Sequence, residues 1–519
     1  MTKIRIAVII DDPTDIDIGP RRVLDAICSD ARFELSAIIQ PQASARFGSA
    51  AYKIAMAIDA RLFARPRHFD TPNFEARRAS VPLPGADAVI AGDKPFDVIV
   101  DFSTAGAPAA LAEHATFGLW RLTSYQAFSG FFETRYPVAE VDLFRAAGGQ
   151  TPRRRIASAS YTVKFSAARN AAFLREKSVQ LLIRELKKLA NDGAPADEGP
   201  FALPPTRQPG FGDLAAYGVH LARNLSARIV EQAAIKARFR PGMFALKYGN
   251  GGPLDFHPAD GTDIVPPGNC YWADPFLFEH GGETYIFFED YAYAEDRGHI
   301  SVGKLTEEGF SLIGPAIIAD YHLSFPYIFR HDGAIYMIPE TSQSRRLEIW
   351  RCVEFPCRWA LHATALEGLA TADSAVFQRD GKWWLFTNIT NDSYGDHCAE
   401  LHLYRANDPT LRELEPHPLN PVVIDARSAR GGGRVFADNG ALYRVSQDNA
   451  FGTYGYGVNI MEITRLDMRG YSERLARRIA PDFEDGLIGC HHADFANGRY
   501  VIDVRRKFGG RSAAAEPQR

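Results

Sequence analysis

The chain has 519 residues, 24% of them charged, a formal net charge of -4 and a pI near 6.4. That length allows two or three domains with substantial cores, and basic runs no longer than Arg153-Arg154-Arg155 exclude a nucleic-acid-binding tail. The six cysteines (28, 270, 352, 357, 398 and 490) lack CxxC spacing, which supports neither a zinc knuckle nor a disulfide framework, and they read as free buried thiols.

The apolar run Ile4 to Ile10 ends in Asp11-Asp12 and not in a small-residue cleavage site, so it reads as a first β-strand and not as a signal peptide. No stretch reaches the roughly 20 apolar residues that span a bilayer. The expected location is therefore the cytoplasm. A helix over Arg21 to Asp30, a strand over Phe33 to Ile39, a strand over Phe96 to Phe102 and a helix through Ala115 follow. Strands alternating with helices predict an α/β sheet of Rossmann-like type, with any ligand crevice at the carboxyl ends of its strands. No G-x-G-x-x-G follows the first strand, so a dinucleotide fingerprint is absent.

Beyond Asp101 come Phe117-Gly118-Leu119-Trp120, Gly130-Phe131-Phe132-Glu133, Tyr161-Thr162 and a helix over Asn170 to Asn191. This order resembles the N-terminal domain of methionyl-tRNA formyltransferase-like proteins and covers residues 1–191. The resemblance implies a fold and not an activity. The family's Asn and His on the catalytic strand, its Ser-Leu-Leu-Pro loop and its Asp have no counterparts, and His114, the histidine nearby, precedes the strand. Formyl transfer needs a neutral imidazole and a carboxylate, so that activity is not expected.

Residues 192–212 are rich in Pro, Gly and Ala and read as a linker. A helix over Asp213 to Arg238 follows, with Leu214, Leu221, Leu225, Ile229 and Ile235 near helical spacing. Its one-sided stripe packs against a domain or, as a second reading, against a membrane surface without spanning it. Linker and connecting helix together occupy 192–254.

From there to 507 the text repeats. Tyr271-Trp272-Ala273-Asp274-Pro275-Phe276 leads through Gly281-Gly282 to Phe288-Glu289-Asp290; Phe325-Pro326-Tyr327 through Asp332-Gly333 to Pro339-Glu340-Thr341; Asp373-Ser374-Ala375 through Asp380-Gly381 to Trp383-Trp384. Arg430-Gly431-Gly432 leads through Asn439-Gly440 to Arg444-Val445-Ser446-Gln447-Asp448, and His492-Ala493-Asp494 through Asn497-Gly498 to Tyr500-Val501-Ile502. Short β-rich runs joined by Asn-Gly or Asp-Gly are hairpins, and five such units predict an all-β five-bladed β-propeller over 255–507. The first strand of each blade lines the channel, so Asp274, Phe325, Asp373, Arg430 and Asp494 should converge. The tail 508–519 reads as disordered.

These motifs, in this order, resemble the N-terminal propeller domain of glucosamine inositolphosphorylceramide transferases and their bacterial relatives. More distantly the layout resembles arabinanase- and xylosidase-type glycoside hydrolases, which take a base Asp from blade one, an orienting Asp from blade three and an acid Glu from blade four. The resemblance implies Asp274 as base and Asp373 as orienting acid, but Arg430-Gly431-Gly432 stands where the acid should be. Glu340 or Glu289 could supply a carboxylate instead. Arg427, Arg430, Arg434 and Arg444 bring guanidiniums toward the channel, suited to a phosphate or carboxylate, or else to bracing blades against nearby Asp. The expected catalytic set is Asp274, Asp373 and Glu340. The expected substrate-binding set is Glu289, Asp290, Arg430, Arg434, Arg444, Gln447, Asp448, His491 and His492, with no metal.

The reading that follows is a glycosyltransferase of glycolipid or surface-polysaccharide synthesis. It needs no cofactor and takes a sugar, nucleotide-sugar or glycolipid as substrate, with a nucleotide-sugar as donor. Two alternatives stand beside it: a non-catalytic glycan-binding scaffold, because the plant transferases carry their catalytic domain in a separate C-terminal part, and a glycoside hydrolase with Glu340 as acid.

Overall fold

A computed structural model describes residues 3–41, 49–64, 69–93, 96–125, 131–148, 152–205, 207–236, 243–390 and 392–506. The tail 508–519, expected to be disordered, lies outside these, as does Arg238 at the expected end of the connecting helix. The chain divides into two compact units, Met1–Leu225 with Asp392–Gly395, and Ser226–Asn391 with Asp396–Arg519.

The first unit is an α/β domain on a six-stranded mixed sheet. Its strands are β1 (Ile4–Ile9), β2 (Phe33–Ile39), β3 (Val98–Asp101), β4 (Leu119–Leu122), β5 (Ala139–Ala146) and β6 (Arg154–Tyr161), in the order β2-β1-β3-β4-β5-β6. Strands β1 to β4 pair in parallel, whereas β5 and β6 are antiparallel additions. The near-continuous apolar text of β1 and β3 suits strands covered on both faces, and Ile6 to Ile9 and Val98 to Val100 are buried. The Gly-x-Trp text does form β4. The long helix expected over Asn170 to Asn191 is two, Ala167–Lys177 and Val179–Asp192, which meet at Ser178. A 26-residue helix, Phe211–Lys236, follows the Pro-rich segment. No helix among the described residues is long and apolar enough to cross a membrane.

The second unit is a ring of five sheets. Blade one is Cys270–His280, Glu283–Ala292, Arg297–Thr306 and Gly309–Ile317; blade two is Ser324–His331, Ala334–Glu340, Leu347–Glu354 and Arg358–Ala365. Blade three opens with Ala370–Arg379 and Lys382–Thr390, and blade four is Gly431–Asp438, Ala441–Asp448, Gly457–Asp467 and Gly470–Ile479. Blade five is composite. Its inner strands, Ala493–Ala496 and Arg499–Arg506, come from the chain's end, and Met243–Asn250 and Thr262–Ile264 complete it from far upstream. The ring thus takes a strand from residues 243–250, inside the stretch expected to link the domains.

The five hairpin turns sit where the sequence puts them. Asp332-Gly333, Asp380-Gly381, Asn439-Gly440 and Asn497-Gly498, like Gly281-Gly282, all have positive φ at both central residues, the requirement of the type I′ turn. Aromatic and aliphatic side chains fill the seams between blades: Phe276, Phe287, Ile328, Met337 and Val376 belong to one buried cluster, and Val445, Ile460, Tyr500 and Ile502 to another.

Candidate functional site

In four of the five blades the first strand breaks its ladder near the same point. Register jumps occur opposite Phe287/Glu289, between Ser324 and Tyr327, between Ala372 and Ala375, and between Gly431 and Val435. The residue at the break is left-handed: φ is 50° at Asp274, 46° at Phe325 and 47° at Asp373. A bulge with a non-glycine residue in this region costs about 1–2 kcal/mol and turns its side chain out of the pleat. Three blades therefore aim their header side chains at the ring's interior.

Asp274 is 5% exposed, Asp373 2% and Gln447 fully buried. Arg430 ties the neighbours together: its Nε donates to Asp373 Oδ2 at 2.6 Å and its Nη2 to Glu340 Oε2 at 3.3 Å. Gln447 Nε2 donates to the same Asp373 oxygen at 3.2 Å, while its Oε1 is buried without a partner. Tyr454 covers this group from outside, its ring 4.9 Å from the Arg430 guanidinium and 5.5 Å from His491, and it remains 42% exposed.

Asp274 is differently placed. Its Oδ2 accepts the Phe325 N–H at 3.2 Å, but Oδ1 is buried and unbonded, with His491 Nε2 at 3.5 Å and His492 Nδ1 at 3.7 Å. Burial pushes its carboxyl up to about 7, against the pull of His491 and with help from the charges of Asp373 and Asp503. Asp373 also rises to about 7 through burial, with Arg430 opposing and Glu340 adding to the rise.

Asp503 organises the far side. Its Oδ1 accepts the N–H groups of His491 at 2.8 Å and His492 at 3.0 Å, and its Oδ2 accepts the Asp274 N–H at 3.2 Å. His491 Nδ1 stands 2.6 Å from Oδ2 as an ion pair and not as an aligned hydrogen bond. Burial works against charge on His491, but Asp503 and Asp274 overcome it and hold the imidazolium up to about 9. Burial likewise opposes charge on Asp503, and His491 outweighs it, so Asp503 titrates below the ordinary range. His492 is the reverse case. Packed against Phe276 at 4.5 Å and Phe325 at 5.2 Å with neither nitrogen hydrogen-bonded, it is driven by burial down to about 3 and is neutral.

Asp274, His491 and Asp503 could converge on a cation, since their donor atoms lie within 4.8 Å of one another. Asp503, however, has both oxygens taken by N–H groups, and the imidazolium already supplies the positive charge. The donor set does not suit a metal.

The remaining expected residues separate. Glu289 is 5% exposed, accepts the Tyr271 hydroxyl at 3.0 Å and lies 3.6 Å from His322 Nε2; burial and the Asp274 charge raise its carboxyl well above the ordinary value. Asp290, next along the strand, faces the opposite way and accepts from Ser301 Oγ at 3.1 Å. Arg434 is not open to a ligand. It grips Asp494 with Nε and Nη2 at 3.0 and 3.1 Å, donates to the Ile328 and Leu277 carbonyls at 3.0 and 3.3 Å, and lies over Phe276 and Tyr327. Arg444 is bound to Glu473 on the outer strand of blade four, both hydrogen bonds at 2.6 Å. Asp448 accepts from Ala450 N–H at 3.0 Å and from Arg478 at 2.5 Å, and Arg427 pairs with Asp425 two residues away. These four brace blades and turns.

Asp503 and Tyr454 went unread. The signal for Asp503 lay in the repeat: Glu289 pairs Ala273, Glu340 pairs Ser324 and Asn388 pairs Ala372, each in the last few residues of its blade's second strand, and Asp503 follows the apolar run of the fifth.

Residues 258–480 match the family model described as "Glucosamine inositolphosphorylceramide transferase 1, N-terminal". A rice protein (Oryza sativa subsp. japonica) named Glucosamine inositolphosphorylceramide transferase 1 is 35% identical over 205 residues, 39% of this chain and 27% of that one. Its Arabidopsis thaliana namesake is 34% identical over 216 residues, 41% of this chain and 28% of that one. The chain therefore spans about a quarter of the length of the curated relatives it matches. Among solved structures, a β-xylosidase covers 46% of this chain and 92% of its own at 10% identity and a TM-score of 0.34. A family 117 glycoside hydrolase from Zobellia galactanivorans covers 51% and 90% at 15% identity and a TM-score of 0.31.

Proposed function

We propose that this chain is a glycosyltransferase of glycolipid or surface-polysaccharide synthesis, and that its propeller takes an acceptor hydroxyl at Asp274. One observation carries the reading: a buried carboxylate oxygen with no hydrogen-bond partner, Asp274 Oδ1, beside the His491 imidazolium and a pre-formed cluster of ion pairs. A carboxyl poised near 7 is matched to general-base work at neutral pH. The acceptor's proton passes to Oδ1, its oxygen bonds to the anomeric carbon of the donor, and the bond to the phosphate leaving group breaks with its electron pair on that phosphate. Tyr454, half exposed above Arg430, offers a face for a sugar ring. The glycolipid side of the reading is supported by the names of the relatives that match the ring.

The ion pairing favours a second reading, glycan binding without turnover, over hydrolysis. An inverting glycosidase needs a proton donor roughly 6.5–9.5 Å from its base, and Glu340 is engaged by Arg430. The first unit would keep a formyltransferase-like layout without that chemistry, and the protein would work in the cytoplasm, where nucleotide-sugars are available, with the helix Phe211–Lys236 as a peripheral membrane contact. Asp274→Asn decides between the two readings. Loss of turnover by about 10²–10⁴ with sugar binding retained is the expected result; unaltered behaviour in glycolipid synthesis overturns the enzyme.

A further inference from the structure

In the first unit, four buried polar atoms lack a hydrogen-bond partner around one cavity: Arg21 Nε, Arg175 Nε, Glu176 Oε2 and Tyr394 Oη. Such atoms are rare in native proteins and mark a missing partner. The cavity measures about 430 Å³, inside the roughly 300–1,000 Å³ range of small-molecule sites. Glu176 is the anchor. Its side chain is 1% exposed, its Oε1 accepts the Ser393 N–H at 2.8 Å with Arg22 Nη1 at 3.6 Å, and its Oε2 is left without a hydrogen-bond partner.

The position is where an open α/β sheet binds ligands. Strand β1 pairs β2 on one side and β3 on the other, so the chain order reverses beside it, and the crevice at that switch is the usual ligand site. The cavity includes the start of the helix Ile18–Ser29, which follows β1 and whose Asp17 gives no side-chain cap. Its first N–H groups favour an anion. Gly19 lets the helix start pack tightly against the cavity wall: a Cβ there would fall 2.2 Å from Tyr125 Oη and 2.8 Å from the Arg175 carbonyl.

The lining also sets the ligand's chemistry. Arg21 and Arg175 suit phosphate, whereas Glu176, with Asp15 and Asp17 exposed beside the cavity, repels a bare anion and accepts from hydroxyls. Tyr125, Tyr394 and Phe69 add aromatic faces. A ligand joining phosphate, hydroxyls and a flat ring meets all three demands. We infer that this cavity binds a nucleotide-sugar, an assignment that rests on reading the chain as a carbohydrate-active protein.

Calorimetric titration of the full chain with uridine diphosphate, UDP-N-acetylglucosamine and GDP-mannose tests this. Saturable binding of a nucleotide-sugar is expected, weakened about tenfold or more by Arg175→Ala and by Arg21→Ala, because each removes a charge-assisted hydrogen bond to phosphate. Glu176→Gln, which keeps an acceptor for the Ser393 N–H, should weaken the sugar nucleotides more than uridine diphosphate. Asp274→Asn should leave the titration unchanged, so failure of the propeller reading and failure of this one separate. No binding of any probe overturns the inference. So does binding abolished by Asp274→Asn, or binding kept by Arg175→Ala and Arg21→Ala variants that melt like the parent.

Discussion

At the scale of single residues, the ring interior sets charges against burial, and stability against pH reports it. His491 is held up to about 9 from an ordinary 6.5, so its stabilising contribution is complete below pH 6.5 and is lost as pH rises through about 9. A His491→Gln variant should lose that part of the fall in melting temperature, measured by calorimetry across this window. Asp274 has the opposite sign. Its carboxyl is raised from 3.8 to about 7, so the folded state is penalised as pH climbs between the two. Asp274→Asn should therefore melt higher than the parent at pH 8 and nearly equally at pH 4, even as function is lost. Equal melting at both values would mean that Asp274 is solvated. Much of this site was legible: Asp274, Asp373, Glu340, Arg430, Gln447 and His491 do gather. Arg444 was misplaced for a geometric reason. It stands three residues before Gln447, and an odd separation on a strand puts two side chains on opposite faces.

At the scale of elements, the hairpins were readable because a type I′ turn demands positive φ at both positions, and Asn-Gly or Asp-Gly supplies it cheaply. Gly440, at φ 81° with nothing within 4 Å of its missing Cβ, isolates that demand; Gly440→Ala should cost about 1–2 kcal/mol by urea denaturation. Charge buried between elements is worth more. Arg434 joins blade four to Asp494 of blade five and to carbonyls of blades one and two, with Asp494 wholly buried. Arg434→Met should cost about 3–5 kcal/mol by leaving that carboxylate alone, and Arg434→Met with Asp494→Leu should recover much of it. What eluded the pattern was the strand Met243–Asn250, whose long partner, Arg499–Arg506, lies some 250 residues later. No local turn announces a pairing of that span.

At the scale of the whole chain, the composite fifth blade predicts where the ring can be cut. A chain beginning at residue 255 lacks Met243–Asn250 and leaves Arg499–Arg506 without its partner along eight paired residues; it should be insoluble or molten by near-ultraviolet dichroism, whereas the full chain should keep its near-ultraviolet signal. The first unit was readable to the level of an α/β sheet, because continuous apolar strands alternating with helices show themselves, while the antiparallel turn of β5 and β6 did not. The fastening of the ring has one more effect. A single break in the backbone at Asn439-Gly440 would yield two pieces still buttoned together through Met243–Asn250 and Arg499–Arg506, so the propeller should survive a protease nick at its rim and come apart only when that seam is unpicked.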